Sequence, residues 1–194
     1  MPTPATLPSN VPAFGENFGR GLCRGLLRLC GWRLEGELPD CARLVLIAAP
    51  HSSWWDGIWG LLMKVGIGVE VHFMIKRELF HGPFGWLLRK LGGIPIDRHA
   101  AGAVVGQMVD VFARGDALWL AITPEGTRKP VARWKTGFWH IAHKAGVPVF
   151  PVAFHYPGKR IVLGPLFATT DDMAADVERL RAFFAPWQGK HHGV

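Results

Sequence analysis

Apolar and polar positions change period repeatedly along the chain, and each change marks an element. Residues 1–13 hold four prolines, Pro2, Pro4, Pro8 and Pro12, and little that can pack, which predicts an irregular arm. Over 14–30, Phe18, Leu22, Leu26 and Leu29 recur at helical spacing with Cys23 and Cys30, while Arg20, Arg24 and Arg28 repeat every four residues. Such an amphipathic basic helix suits two placements. It can lie on an anionic bilayer with its apolar side in the acyl boundary, or pack on its own domain with a solvated basic face. Strand and helix patterns then alternate. Strands are predicted over 32–38, 43–49, 71–75, 94–96, 117–122, 149–155 and 160–163. Helices are predicted over about 56–64, with Asp56 near the start, and over 83–91, with Pro83 in the first turn. Three more are predicted over 101–114, 137–145 closed by Gly146, and 171–184 capped by Thr170 or Asp171. Residues 189–194 form a tail in which His191 and His192 are expected to fray.

This alternation implies an α/β fold: a single domain over 31–188 with a largely parallel central sheet flanked by helices. Ligands gather at the carboxyl ends of strands in such sheets. Three polar segments occupy that position. His51 follows the strand at 43–49, Asp97 and Arg98 follow 94–96, and Glu125 to Arg128 follow 117–122.

At 194 residues the chain is long enough for one domain with a sizeable core. Its hydrophobic content of 49% is high, yet no apolar run approaches the ~20 residues of a membrane span. The Met-Pro-Thr-Pro start carries no signal-peptide pattern, so a cytoplasmic location is expected. Cys23, Cys30 and Cys41 have neither metal spacing nor an even count, which predicts reduced, buried thiols and no metal site. The net charge of +7 admits nucleic acid or an anionic membrane surface as partner, but no nucleic-acid-binding motif accompanies it. Trp119 and Trp139 read as core. Trp54 and Trp55 suit either the core or a membrane–water interface.

The chemistry concentrates in two segments. His51-Ser52-Ser53-Trp54-Trp55-Asp56 sets a histidine five residues before an aspartate, a spacing that makes a general base and its orienting partner. Glu125-Gly126-Thr127-Arg128 puts a carboxylate and a guanidinium on a glycine-containing turn, suited to an anionic, hydroxyl-bearing substrate. His-x4-Asp alone arises readily by chance. Glu-Gly-Thr-Arg is far rarer, so the pair in this order carries the weight. Ser52 and Ser53 fit a cap on the following helix better than a nucleophile.

These segments resemble the glycerolipid acyltransferases of the lysophosphatidic acid acyltransferase (PlsC-like) type. Gly92 to Arg98 is similar to that family's Gly-x-Ile-x-Ile-Asp-Arg block, and Gly146 to Val152 to its Val-Pro-x-x-Pro-Val strand. Lys76 to Phe80 and Pro83 to Gly85 resemble its linker, and Lys135-Thr136-Gly137 a further segment. Pro50 departs from the polar residue that many members carry before the histidine. The resemblance implies a glycerol-3-phosphate (1)-acyltransferase-like fold and O-acyl transfer to a lysolipid, most simply 1-acyl-glycerol-3-phosphate. The donor, acyl-CoA or acyl carrier protein, is a substrate, and no cofactor is implied. His51 and Asp56 are the implied catalytic pair. Lys76, Arg98, Glu125, Gly126, Thr127 and Arg128 are the implied acceptor-binding residues. A peripheral position on the inner face of the cell membrane goes with the resemblance. Another lysolipid acceptor, thioester hydrolysis by the same base, and a non-catalytic lipid-binding protein of the same fold are the alternatives.

Overall fold

The structure, a computed structural model, describes residues 7–15, 18–97 and 103–194. Arg98, one of the implied phosphate ligands, lies outside the described residues, as do 1–6 of the N-terminal arm. The elements in chain order are α1 (Phe18–Leu29), β1 (Arg33–Glu35), β2 (Arg43–Ala49), α2 (Trp54–Ile67), β3 (Val71–Lys76), a 3₁₀ turn (Arg77–Leu79), α3 (Gly82–Lys90) and β4 (Gly93–Ile96). They continue with α4 (Ala103–Ala113), β5 (Leu118–Ile122), α5 (Gly137–Ala145), β6 (Val149–His155), β7 (Arg160–Leu163) and α6 (Met173–Phe184).

One seven-stranded sheet runs in the order β1-β7-β6-β2-β5-β3-β4. β6, β2, β5, β3 and β4 are parallel neighbours. β7 turns back antiparallel to β6, and β1 joins its outer edge parallel to β7. The largely parallel sheet expected from the alternation is therefore present, with a reversed pair at one edge.

Helices cover both faces, which explains why the central strands read as unbroken apolar runs. In β2, Leu44 and Leu46 point to the side packed by Leu27 of α1 and by Met63 and Ile67 of α2, whereas Val45 and Ile47 point to the side packed by Met108 and Phe112 of α4 and by Phe138 and Ile141 of α5. The period of two is intact, but both phases are buried. Trp119 and Trp139 are core residues, as predicted; the Trp119 indole donates to the Cys41 carbonyl and that of Trp139 to the buried Asp176 carboxylate. Trp54 and Trp55 are exposed by 75% and 45%, which removes the core alternative for them.

Several boundaries move for local reasons. The first strand is only Arg33–Glu35, because Gly36 at φ 96 turns the chain away from the predicted 32–38 run. α6 is capped by Asp172, whose carboxylate accepts the Ala175 N–H, rather than by Thr170 or Asp171. α5 ends at a left-handed Gly146, as expected. The three cysteines are free and partly rather than fully buried. Among the described residues no helix is long and apolar enough to cross a membrane.

α1 corrects an expectation about orientation. It packs on its own domain with Arg20 and Arg24 turned inward, and of the three arginines only Arg28 is solvated. Arg20 donates to the Ile67 carbonyl at 3.0 Å and Arg24 to the Gly66 carbonyl at 2.6 Å, both at the C-terminal end of α2. The last carbonyls of a helix lack intrahelical donors and carry its negative end, so they attract guanidinium groups. Leu27 is buried between the helices, while Leu22, Leu26 and Leu29 face outward.

Candidate active site

The interval between His51 and Asp56 follows from how α2 begins. Ser53 is its N-cap, extended at φ −147 and ψ 158, and its side chain accepts the Trp55 N–H. Asp56 is then the third helical residue, and its carboxylate reaches back to the Ser53 N–H at 2.8 Å, closing a capping box. The same Oδ2 lies 3.2 Å from Nδ1 of His51, two residues before the cap. One carboxylate thus ends the loop and orients the imidazole. An ionised carboxylate only accepts, so Nδ1 is the donor, and in the neutral imidazole the lone pair is then on Nε2. α2 starts two residues earlier than predicted, at Trp54, and Ser53, one of the two serines expected to cap it, makes the cap.

Asp56 has a third partner that sequence reasoning missed. The Tyr156 hydroxyl donates to Oδ1 at 2.5 Å from the end of β6. Burial pushes the Asp56 carboxyl up, but the hydrogen bonds from His51, Tyr156 and the Ser53 backbone outweigh it and hold the group below its ordinary value. Burial and the neighbouring carboxylate push the tyrosine hydroxyl well above its ordinary range, so it stays a donor. Its only sequence signal is that Tyr156 is the one tyrosine in the chain and lies just beyond the Gly146 to Val152 block.

The second segment meets the first through Glu125, which is buried and accepts the His51 backbone N–H at 2.6 Å. Burial raises its carboxyl above the ordinary value, against the opposing pull of that bond and of His192. Gly126 sits at φ 64, where a side chain would be strained and would also strike Lys135. Lys135 therefore crosses the turn, a neighbour that the motif alone did not single out. The Thr127 hydroxyl accepts the Lys129 N–H at 3.3 Å, and the Arg128 guanidinium lies 3.5 Å over the ring of Trp54. Lys76 ends β3 on the same rim but makes no polar contact with His51, Asp56 or 125–128 among the described residues.

A cavity of about 1060 Å³ runs from His51 and Asp56 beneath α2 and also reaches Val104 and Val105 of α4 and Phe138 and Ile141 of α5, which pack the other side of the sheet. Its walls are apolar, with Phe73, Trp119, Phe150 and Phe154 on the sheet side. Gly57 and Gly60 on α2 leave it open: a Cβ at Gly57 would meet nothing within 4 Å. Lys64 also lines it, yet its ammonium donates to the Val71 and Leu91 carbonyls at 2.6 and 2.8 Å, and burial lowers its pKa to about 8.

The C-terminal tail does not fray. It crosses the rim beside His51, where the Ser52 hydroxyl accepts the His191 N–H at 3.2 Å and His192 Nε2 faces the Arg128 carbonyl at 3.1 Å. Among the described residues no group of three His, Cys, Asp or Glu is placed to hold a metal ion.

An acyltransferase family model matches residues 35–155. The chain is similar to the 1-acyl-sn-glycerol-3-phosphate acyltransferase of Streptococcus pneumoniae, 30% identical over 69% of this chain and 53% of that one. It is also similar to those of Pseudomonas aeruginosa, 32% over 62% and 52%, and of Escherichia coli, 31% over 82% and 65%. The chain thus spans about half the length of the first two and about two thirds of the third. In fold it resembles the crystal structure of the 1-acyl-sn-glycerophosphate (LPA) acyltransferase PlsC from Thermotoga maritima, with a TM-score of 0.59 at 19% identity over 88% of this chain and 80% of that one.

Proposed function

The chain belongs to the acyltransferase family, and from that premise we propose that it moves a fatty acyl group from a thioester, acyl-CoA or acyl carrier protein, to the free hydroxyl of 1-acyl-glycerol-3-phosphate, giving phosphatidic acid. The observation that carries the proposal is an imidazole anchored by Asp56 through Nδ1 at the wall of an apolar cavity of about 1060 Å³. The relatives' names supply the acceptor, and the cavity offers an acyl chain a dry site next to the base.

In this reaction the acceptor hydroxyl gives its proton to His51 Nε2 as its oxygen attacks the thioester carbonyl carbon. Asp56 stabilises the imidazolium that forms. When the tetrahedral species collapses, the C–S bond breaks and the imidazolium returns the proton to the departing sulfur. Ester and free thiol are the products, and no residue is acylated. Glu125 keeps the His51 backbone in place. Arg128 faces the acceptor phosphate, a role for which a guanidinium has matching geometry, with Arg98 and Lys76 as further phosphate ligands.

A lipid acceptor requires the rim to meet a bilayer. Outward-facing Leu22, Leu26 and Leu29 on α1, together with exposed Trp54, Trp55 and Ile58 on the adjoining α2, support peripheral attachment to an anionic membrane surface. The net charge of +7 suits that partner, and the cytoplasmic face of the cell membrane presents it.

The test is transfer from palmitoyl-CoA to lysophosphatidic acid by purified protein beside a His51→Ala variant, with other lysolipids and acyl carrier protein thioester as further arms. Removal of the general base should lower the rate by about 10²-fold or more. Undiminished transfer in the variant would remove His51 from the mechanism, and transfer only to a different lysolipid would replace the acceptor.

A further inference from the structure

Two cations stand at the rim over adjacent tryptophans. The Arg128 guanidinium lies 3.5 Å over the Trp54 ring, and Lys190 Nζ lies 5.4 Å over that of Trp55. Trp54 and Trp55 open α2, three and four residues after His51. Among the described residues neither cation is paired with a carboxylate. Both therefore keep their hydrogen-bond donors for an anion.

Lys190 is held there by the path of the tail. Gly189 is buried where a Cβ would stand 2.6 Å from the Ser52 hydroxyl and 2.7 Å from the His192 carbonyl oxygen. Its N–H donates to that carbonyl at 3.0 Å, and residues 188 and 193 form an antiparallel bridge. The resulting loop is fastened on both sides of the site, by the His191 N–H to Ser52 and by His192 to the Arg128 carbonyl. His192 faces carbonyl oxygens from both ring nitrogens, Gly193 at 2.8 Å and Arg128 at 3.1 Å. When both nitrogens carry protons both contacts are hydrogen bonds, and His192 then latches the strap as a cation. Those backbone bonds raise its pKa above the ordinary value, with Glu125 and Asp56 acting in the same direction and burial against.

We propose that Lys190 is a substrate-binding residue that grips, together with Arg128, the phosphate monoester of the acceptor, and that the strap 188–193, latched by His192, is what presents it. This rests on the acyl-transfer function proposed above and adds a residue outside the matched family region of 35–155. The logic is charge and place. A monoester dianion needs more than one donor, and an ammonium contributes a point charge beside the bidentate guanidinium. The cation–π contacts park both side chains at the rim before the anion arrives.

The experiment measures glycerol 3-phosphate binding by tryptophan fluorescence and steady-state transfer to lysophosphatidic acid, for wild type, Lys190→Ala, Lys190→Arg and Gly189→Ala. Lys190→Ala should weaken glycerol 3-phosphate binding about tenfold and raise the acceptor KM by a similar factor, with kcat changed less than about threefold and the acyl-CoA KM unmoved. Lys190→Arg should recover most of the loss. Gly189→Ala should reproduce it with the cation intact, because the strap is displaced. Wild-type binding by Lys190→Ala, absence of glycerol 3-phosphate binding by the wild type, or a shift in the acyl-CoA KM instead would each overturn the proposal. Lys190-dependent binding without any acyl transfer would sink the acyltransferase function while leaving the phosphate site standing.

Discussion

The Glu125 carboxylate accepts the backbone N–H of His51 at 2.6 Å, across 74 residues of chain. This bond ties the two segments that the sequence sets apart, and it acts on the histidine's backbone rather than its ring. Glu125 is therefore a positioning residue. Truncation to Ala leaves a buried N–H without a partner and should cost about 1.5–3 kcal/mol of stability, the range for a hydrogen bond to a charged group. A displacement of His51 by about 1 Å should lower turnover by about 10²-fold. Glu125→Gln, which keeps an accepting oxygen, should recover part of both in urea denaturation and in the transfer assay.

Tyr156→Phe isolates the third bond to Asp56. The change leaves Oδ1 of a buried carboxylate without its donor, a loss of about 1–3 kcal/mol. Its sign with pH is fixed by linkage. The folded-state pKa of Asp56 is depressed, so the stabilisation from its bonds is present above the unfolded value near 3.8 and is lost as pH falls through the lower folded value. Without the tyrosine the folded value rises. Acid unfolding of Tyr156→Phe should begin at higher pH than in wild type, as read by circular dichroism between about pH 5 and 2. Coincident acid transitions would show that Tyr156 does not tune the carboxylate.

The sequence disclosed local relations and withheld distant ones. β2, β6 and α5 stand where the periodicity put them, since a buried strand or an amphipathic helix is written in consecutive residues. The His51–Asp56 relation was legible because both residues lie in one short His-x4-Asp segment. The Tyr156 bond was not, for its partner is 100 residues away and a lone tyrosine carries no spacing. Lys190 and His192 looked like a free end because nothing in a histidine pair announces the carbonyls it will meet.

Gly57 makes the acyl cavity testable. A Cβ there meets nothing within 4 Å, so Leu is tolerated by the fold while filling room beside His51 and Asp56. If the cavity takes the acyl chain, Gly57→Leu should turn selectivity from palmitoyl toward shorter thioesters by roughly tenfold in kcat/KM, the discrimination that one or two methylenes command in an apolar pocket. An unchanged chain-length profile would place the acyl group elsewhere.

α1 shows why amphipathicity alone does not say which side of a helix faces in. Its leucines and arginines compete for the interior. Arg20 and Arg24 turn in beside the fully buried Leu27 because the Ile67 and Gly66 carbonyls at the end of α2 need donors, while Leu22, Leu26, Leu29 and Arg28 stay exposed. The proposed membrane attachment therefore rests on the leucines, and substitution of Arg20 and Arg24 is the wrong probe for it. Arg24→Ala should lower stability by about 1–3 kcal/mol, because it strips a donor from a partly buried carbonyl. The triple change Leu22→Ser, Leu26→Ser and Leu29→Ser touches only exposed positions and should shift the thermal midpoint little. In co-sedimentation with vesicles containing phosphatidylglycerol, the leucine variant should lose most of its binding, since insertion scales with buried apolar area. Full binding by the leucine variant would move the membrane contact to other exposed apolar residues, Trp54, Trp55 and Ile58 of α2 or Phe84, Trp86 and Leu87 of α3.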